Sequence, residues 1–94
     1  MIIGVCTIEL FIPGNRSLKG KRRILKSLIA RVRNEFNVSI AETGDNDAWQ
    51  SATLGVACVS NDAAHTHGLL SRVVEMIERS RLDIQIVDYR IEIF

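Results

Sequence analysis

Proline occurs once in this 94-residue chain, cysteine twice, and aromatic side chains account for only 5% of it. So little proline, beside 47% hydrophobic and 24% charged residues, excludes a disordered or linker-rich protein. Cys6 and Cys58 each stand in an apolar, strand-like run, where a thiol behaves as a small buried hydrophobe, and there is no CxxC pair. No apolar stretch approaches the roughly 20 residues a membrane helix needs, so no membrane partner is expected. The opening run "MIIGVCTIELFIPG" lacks a basic segment and carries Glu9, which makes it a poor secretion signal. Together these features give the expectation of a cytoplasmic protein with reduced thiols.

What is present is a regular alternation of short periodic segments. Residues 1–94 suffice for one domain that buries roughly two-thirds of its unfolded surface, so a core needs neither metal nor disulfide. From Ile2 to Ile12 the chain is apolar and β-branched, with Cys6, Ile8 and Leu10 on the inward parity. "PGN" at Pro13 to Asn15 ends that strand, and Ser17 is placed as the N-cap of a helix reaching Asn34 or Phe36. Ile24, Leu25, Leu28, Ile29, Val32 and Phe36 recur on it at helical spacing.

"VSIAET" and the run from Trp49 to Val59 alternate as the two arms of a hairpin with a long loop, Ala52, Leu54, Val56 and Cys58 facing inward. Ser60 to Asp62 cap a second helix whose stripe starts at Ala63 and runs through Thr66, Leu69, Leu70, Val73, Val74, Met76 and Ile77. "IQIVDYRIEIF" is the last strand. Ile84 and Ile86 fall out of phase there with Tyr89, Ile91 and Ile93, which a bulge near Val87 and Asp88 resolves. The order β-α-β-β-α-β predicts an α+β, ferredoxin-like sandwich: a four-stranded antiparallel sheet with both helices on one face and the other face open.

Charge is distributed unevenly along the chain. Residues 1 to 33 hold eight basic side chains against the single acid Glu9, whereas residues 34 to 94 hold four basic against ten acidic. Such polarity points to an acidic or polyanionic partner. On a helical wheel Lys19, Arg22, Arg23, Lys26 and Arg33 fall within an arc of roughly 100°, opposite an apolar arc of about 140°. A merely soluble helix interleaves acids with bases at i,i+4; here Glu35 alone appears, at the far end. The stripe therefore favours phosphates, whose neutralisation releases counterions, with Arg16 and Lys21 assisting at the helix start. The plain alternative is that acids of the second half neutralise the stripe across a dimer or neighbouring protein surface.

Other constellations fail on geometry. "GNRSLKGKR" follows a strand and opens a helix as a P-loop does, but five residues separate Gly14 from Gly20 where four are needed, and Arg22 replaces the magnesium-binding hydroxyl. Glu42, Asp45 and Asp47 could meet a divalent cation, yet they lack calcium-loop spacing. His65 and His67 point about 160° apart and cannot share a metal. No serine or cysteine has an evident base and orienting partner, so no catalytic, cofactor or metal residue is assigned. The open sheet face offers Val5, Thr7 and Glu9 beside Thr53, Gly55 and Ala57, no platform for stacking bases. Small residues such as Ala41, Gly55 and Ala57 suit a homodimer through that face. Trp49 reads first as a lid on the core and second as a contact anchor.

"SLKGKRRILKSLIARVRNEFNVSIAE", "DAWQSATLGVACVSND" and "VDYRIEIF" resemble the YlxP-like family of small bacterial proteins of unknown function, most specifically at Ser17, Leu18, Lys19, Lys21, Arg22, Phe36 to Val38, Asp47, Trp49 and Gln50. The resemblance implies a ferredoxin-like fold in a cytoplasmic protein, with genes that lie beside translation-initiation and ribosome-maturation factors. It implies no activity. Gly20 stands where the family pattern has a glutamate that would complete a capping box with Ser17, which leaves the helix start open to an anion. The leading expectation is a non-catalytic binding module that presents Arg16, Lys19, Lys21, Arg22, Arg23, Lys26 and Arg33 to RNA or a ribosomal particle. A homodimeric protein-interaction scaffold is the second expectation, and a metal-dependent binder or enzyme built on Glu42, Asp45 and Asp47 is the third.

Overall fold

A computed structural model describes residues 1–44, 47–80 and 83–94. The apolar parity of the first segment becomes β1 (Ile2–Phe11), with Cys6, Ile8 and Leu10 buried, and the remaining elements follow in the expected order. These are α1 (Leu18–Glu35), β2 (Ser39–Glu42), β3 (Ser51–Ser60), α2 (Ala63–Ser80) and β4 (Gln85–Ile93). The strands form one antiparallel sheet in the order β2-β3-β1-β4. Consecutive strands β2 and β3 are a hairpin, whereas α1 crosses from β1 to β2 and α2 from β3 to β4, so the fold is the split βαβ sandwich of ferredoxin-like type.

Both helices cover the same face. α2 lies across β1, β3 and β4, and α1 lies against β2 and α2. Gly4 permits the closest approach: a Cβ there would overlap the Thr66 methyl and touch Leu70, so α2 seats directly on the β1 backbone. Thr66 is fully buried in consequence, and its hydroxyl is satisfied by donating to the Asp62 carbonyl at 3.0 Å. Asp62 caps α2 by accepting from the Ala64 and His65 N–H groups at 2.9 and 3.3 Å. Ala63, expected in the buried stripe, is exposed, because the first residue of α2 lies beyond the part of the helix that the sheet covers.

The parity conflict in β4 is resolved as its alternation requires. Glu9 pairs with Asp88 but Leu10 with Ile86, so Val87 is the extra residue of a bulge, and it stands 66% exposed. The skip returns Ile86, Tyr89 and Ile91 to the helix side opposite Leu10, Ile8 and Cys6. No helix among the described residues is long and apolar enough to cross a membrane.

Burial decides which contacts carry stability. Leu54 is wholly buried in β3 and Glu75 is exposed on α2. Leu54→Ala is expected to lower the unfolding free energy by about 2–5 kcal/mol, and Glu75→Ala to change it by no more than about 0.5 kcal/mol. Urea unfolding measures both, and similar losses at the two sites would contradict this placement of the core.

Candidate functional site

The first helix separates charge from core as its periodicity dictates. Ser17 caps it, its hydroxyl accepting from the Gly20 N–H at 3.0 Å. Leu25, Leu28 and Val32 are buried against the sheet, while Lys19, Arg22, Arg23, Lys26 and Arg33 are exposed, and Arg16 is exposed just before the cap. From Lys19 to Arg33 the stripe runs about 21 Å along the helix. Among the described residues none of these six cations is paired with a carboxylate. Arg33 is oriented by its guanidinium, which donates to the Ile40 carbonyl at 3.1 Å. Between α1 and β2 runs an open groove of about 530 Å³ with an apolar floor that includes Leu25, Ile29 and Ala41. Arg22, Lys26 and Arg33 form its cationic rim. The groove thus sets a row of exposed cations beside an apolar floor.

Lys21 departs from the role expected of it. It is 1% exposed, its ammonium 2.8 Å from the Glu42 carboxylate and donating to the Ala48 carbonyl at 2.7 Å. A cation enclosed in this way cannot reach a phosphate. The helical period carries the signal: at 100° per residue Lys21 falls between Leu28 and Val32, in the middle of the apolar arc and not beside Arg22. Glu42 is likewise removed from the expected cation loop. It pairs in register with Leu54, on the helix side of the sheet, where Lys21 claims it. Asp45 lies outside the described residues, and among those described no group of three or more His, Cys, Asp or Glu side chains could hold a metal ion.

Trp49 is not a lid. It is 55% exposed and lines an open cleft of about 480 Å³ with Phe11, Ala48, Gln50 and Ser51. The backbone that carries it is held from both sides. Asn15, itself buried, donates to the Ser17 carbonyl at 2.8 Å and the Trp49 carbonyl at 2.6 Å. Gln50 donates to the Pro13 and Asn15 carbonyls at 3.1 and 3.2 Å. Gly20 belongs to the same arrangement. A Cβ there would strike the Asn15 side-chain oxygen and lie 3.1 Å from the Ser17 hydroxyl. The helix start expected to be open to an anion is therefore filled by Asn15.

His65 and His67 are both exposed. Burial pushes the Cys6 thiol up to about 11. It raises that of Cys58 as well, partly offset by a backbone hydrogen bond from Gly4. Both thiols stay protonated near neutral pH, which deprives them of nucleophilic character.

The family profile described as "Protein of unknown function (DUF503)" matches residues 3–91. Over 77 residues the chain is 43% identical to the uncharacterized protein YlxP of Bacillus subtilis (strain 168), which covers 82% of this chain and 84% of that one. Among solved structures it is similar to the de novo designed protein Foldit4, with a TM-score of 0.57 and 14% identity over 98% of this chain and 97% of that one. A crystal structure of protein SO0527 from Shewanella oneidensis is similar with a TM-score of 0.43 and 13% identity over 97% and 88% of the two chains. At such identity the likeness to Foldit4 shows the fold alone.

Gly20 supplies a test of the arrangement around Asn15. In an unencumbered helix Gly→Ala gains about 1 kcal/mol. Here Gly20→Ala is expected to lose stability, because the added carbon displaces the Asn15 carboxamide, and the loss should disappear in an Asn15→Ala background. Urea unfolding of the single and double variants gives the answer, and a gain from Gly20→Ala alone would show that Asn15 does not hold this position.

Proposed function

The chain belongs to the family of proteins of unknown function termed DUF503, and we propose that it is a non-catalytic module that grips RNA phosphates through the exposed face of α1. The RNA is met free or on a ribosomal particle. One observation carries the reading: Arg16, Lys19, Arg22, Arg23, Lys26 and Arg33 are exposed together, with no carboxylate partner among the described residues. Clustered cations left in water repel one another, a local cost that a polyanion removes. An acidic protein surface would remove it too, but with a salt dependence set by far fewer paired charges.

A second reading, self-association through the open sheet face, is favoured by a different observation. Met1, Ile3, Val59 and Phe94 are exposed and apolar, Ile3 pairing with Val59 and bonded through its backbone to Phe94, so they gather at one end of that face. Of the small residues expected to form this contact, Ala41 is exposed and Gly55 is overlain. Thr43 lies over Gly55, within 2.9 Å of where a Cβ would stand.

For the first reading, binding of a labelled structured RNA across a salt series is expected to show a log–log slope of about −0.7 to −0.9 per neutralised phosphate. The slope should become shallower by about 2 to 3 when Arg22, Arg23 and Lys26 are changed to glutamine. Salt-insensitive binding, or an unaffected triple variant, would count it out. For the second, sedimentation at rising concentration should reveal a dimer that Val59→Glu dissociates. A chain that stays monomeric throughout would eliminate it.

A further inference from the structure

Trp49 is the only tryptophan of the chain and one of its most exposed large apolar residues, although an indole is ordinarily buried. Its exposure is built in. Lys21, Asn15 and Gln50 fix the backbone of residues 48 to 50 by side-chain hydrogen bonds, and the Ile12 N–H donates to the Gln50 carbonyl at 2.8 Å. With the backbone that carries the ring fixed by these bonds, the loop is ordered before any partner arrives, which lowers the entropic cost of stacking on Trp49. Phe11, 38% exposed at the end of β1, forms the other wall of the cleft.

We propose that the cleft between Trp49 and Phe11 takes an unpaired base of single-stranded RNA, whose neighbouring phosphates pass over residues 13–16 onto Arg16 and Lys19. The proposal rests on the phosphate-binding reading of α1 and gives it a preference for unpaired RNA. The position supports it, because the Trp49 carbonyl is bonded to Asn15, the residue that precedes Arg16. The charges around the cleft support it as well. Glu9, two residues from Phe11, pairs with Asp88 across the open face, and these two acids repel a phosphate chain that would cross the sheet. The route left to the strand is the one toward α1. A wall of two aromatic rings stacks any base, so little sequence preference is expected.

The single tryptophan reports directly on the site. Titration of the full chain with a ten-nucleotide oligoadenylate is expected to quench Trp49 emission, and a duplex of the same length to bind without quenching. By anisotropy of the labelled oligonucleotide, Trp49→Ala should weaken binding roughly 10- to 100-fold with the salt slope unchanged. Trp49→Phe should recover part of the loss, which separates lost stacking from a misfolded loop. Arg16→Gln with Lys19→Gln should instead flatten the salt slope and leave the quenching at saturation intact. Equal affinity for an abasic oligomer of the same charge would overturn the proposal and leave the phosphate reading standing. No binding of any oligomer at low salt would overturn both. A shift of Trp49 emission with protein concentration alone, without RNA, would assign the cleft to a second copy of the chain and also overturn it.

Discussion

The ammonium of Lys21 is the point at which three separate parts of this chain are tied together. It leaves the first turn of α1, enters the apolar arc, and ends between the Glu42 carboxylate at the end of β2 and the Ala48 carbonyl in the approach to β3. A buried charge is tolerated only when it is paired and its protons are placed, and both conditions hold here. Replacement by an apolar residue of similar length would leave the carboxylate of Glu42 without its counter-charge. Removing one partner of such a pair generally costs about 3–5 kcal/mol. Because the pair joins the helix layer to the hairpin, it also fixes where the hairpin loop stands. Asn15 and Gln50 extend that fixation to Trp49, and Gly20 leaves room for Asn15.

This arrangement explains how the two halves of the molecule divide their labour. The sheet and the inner faces of the helices form an uninterrupted apolar core, with Cys6, Ile8, Leu28, Leu54, Leu70 and Ile77 fully enclosed. Two of the buried polar side chains among the described residues, Asn15 and Lys21, lie at the rim where β1 gives way to α1 and the hairpin loop returns. The cationic stripe begins at that rim and continues along the outside of α1. Similarity to a designed protein of the same architecture underlines that the core dictates the fold and says nothing of the rim.

Much of the fold was legible because its signals are local. Period-two burial in β1 and β3, helical stripes in α1 and α2, and the caps at Ser17 and Asp62 each follow from a few neighbouring residues. Even the bulge at Val87 was written in the phase jump between Ile86 and Tyr89. The site was legible only in part. Amphipathicity places Arg22, Arg23 and Lys26 in water, but Lys21 was grouped with its charged neighbours in sequence when its angular position put it in the core. Trp49 was expected as a lid and is exposed instead, because its backbone is held by bonds from Asn15 and Lys21 and by those Gln50 makes to Pro13 and Asn15, partners distant in sequence. The departure at Gly20 looked like a missing cap until the third dimension filled it with Asn15.

The bulge in β4 has a further effect on how copies of the chain behave together. β2 and β4 are the outer strands, and an outer strand presents unpaired backbone groups to any other strand it meets. β2 is four residues long, too short to make a stable seam, and Arg33 already occupies its Ile40 carbonyl. β4 has nine residues, but the extra residue at Val87 breaks its ladder of backbone groups into two shorter runs and twists one away from the other. Neither margin of the sheet is thus a template for runaway strand-by-strand growth into fibrils. A protein with an apolar patch at one end of its open face can in this way remain concentrated without polymerising through its edges.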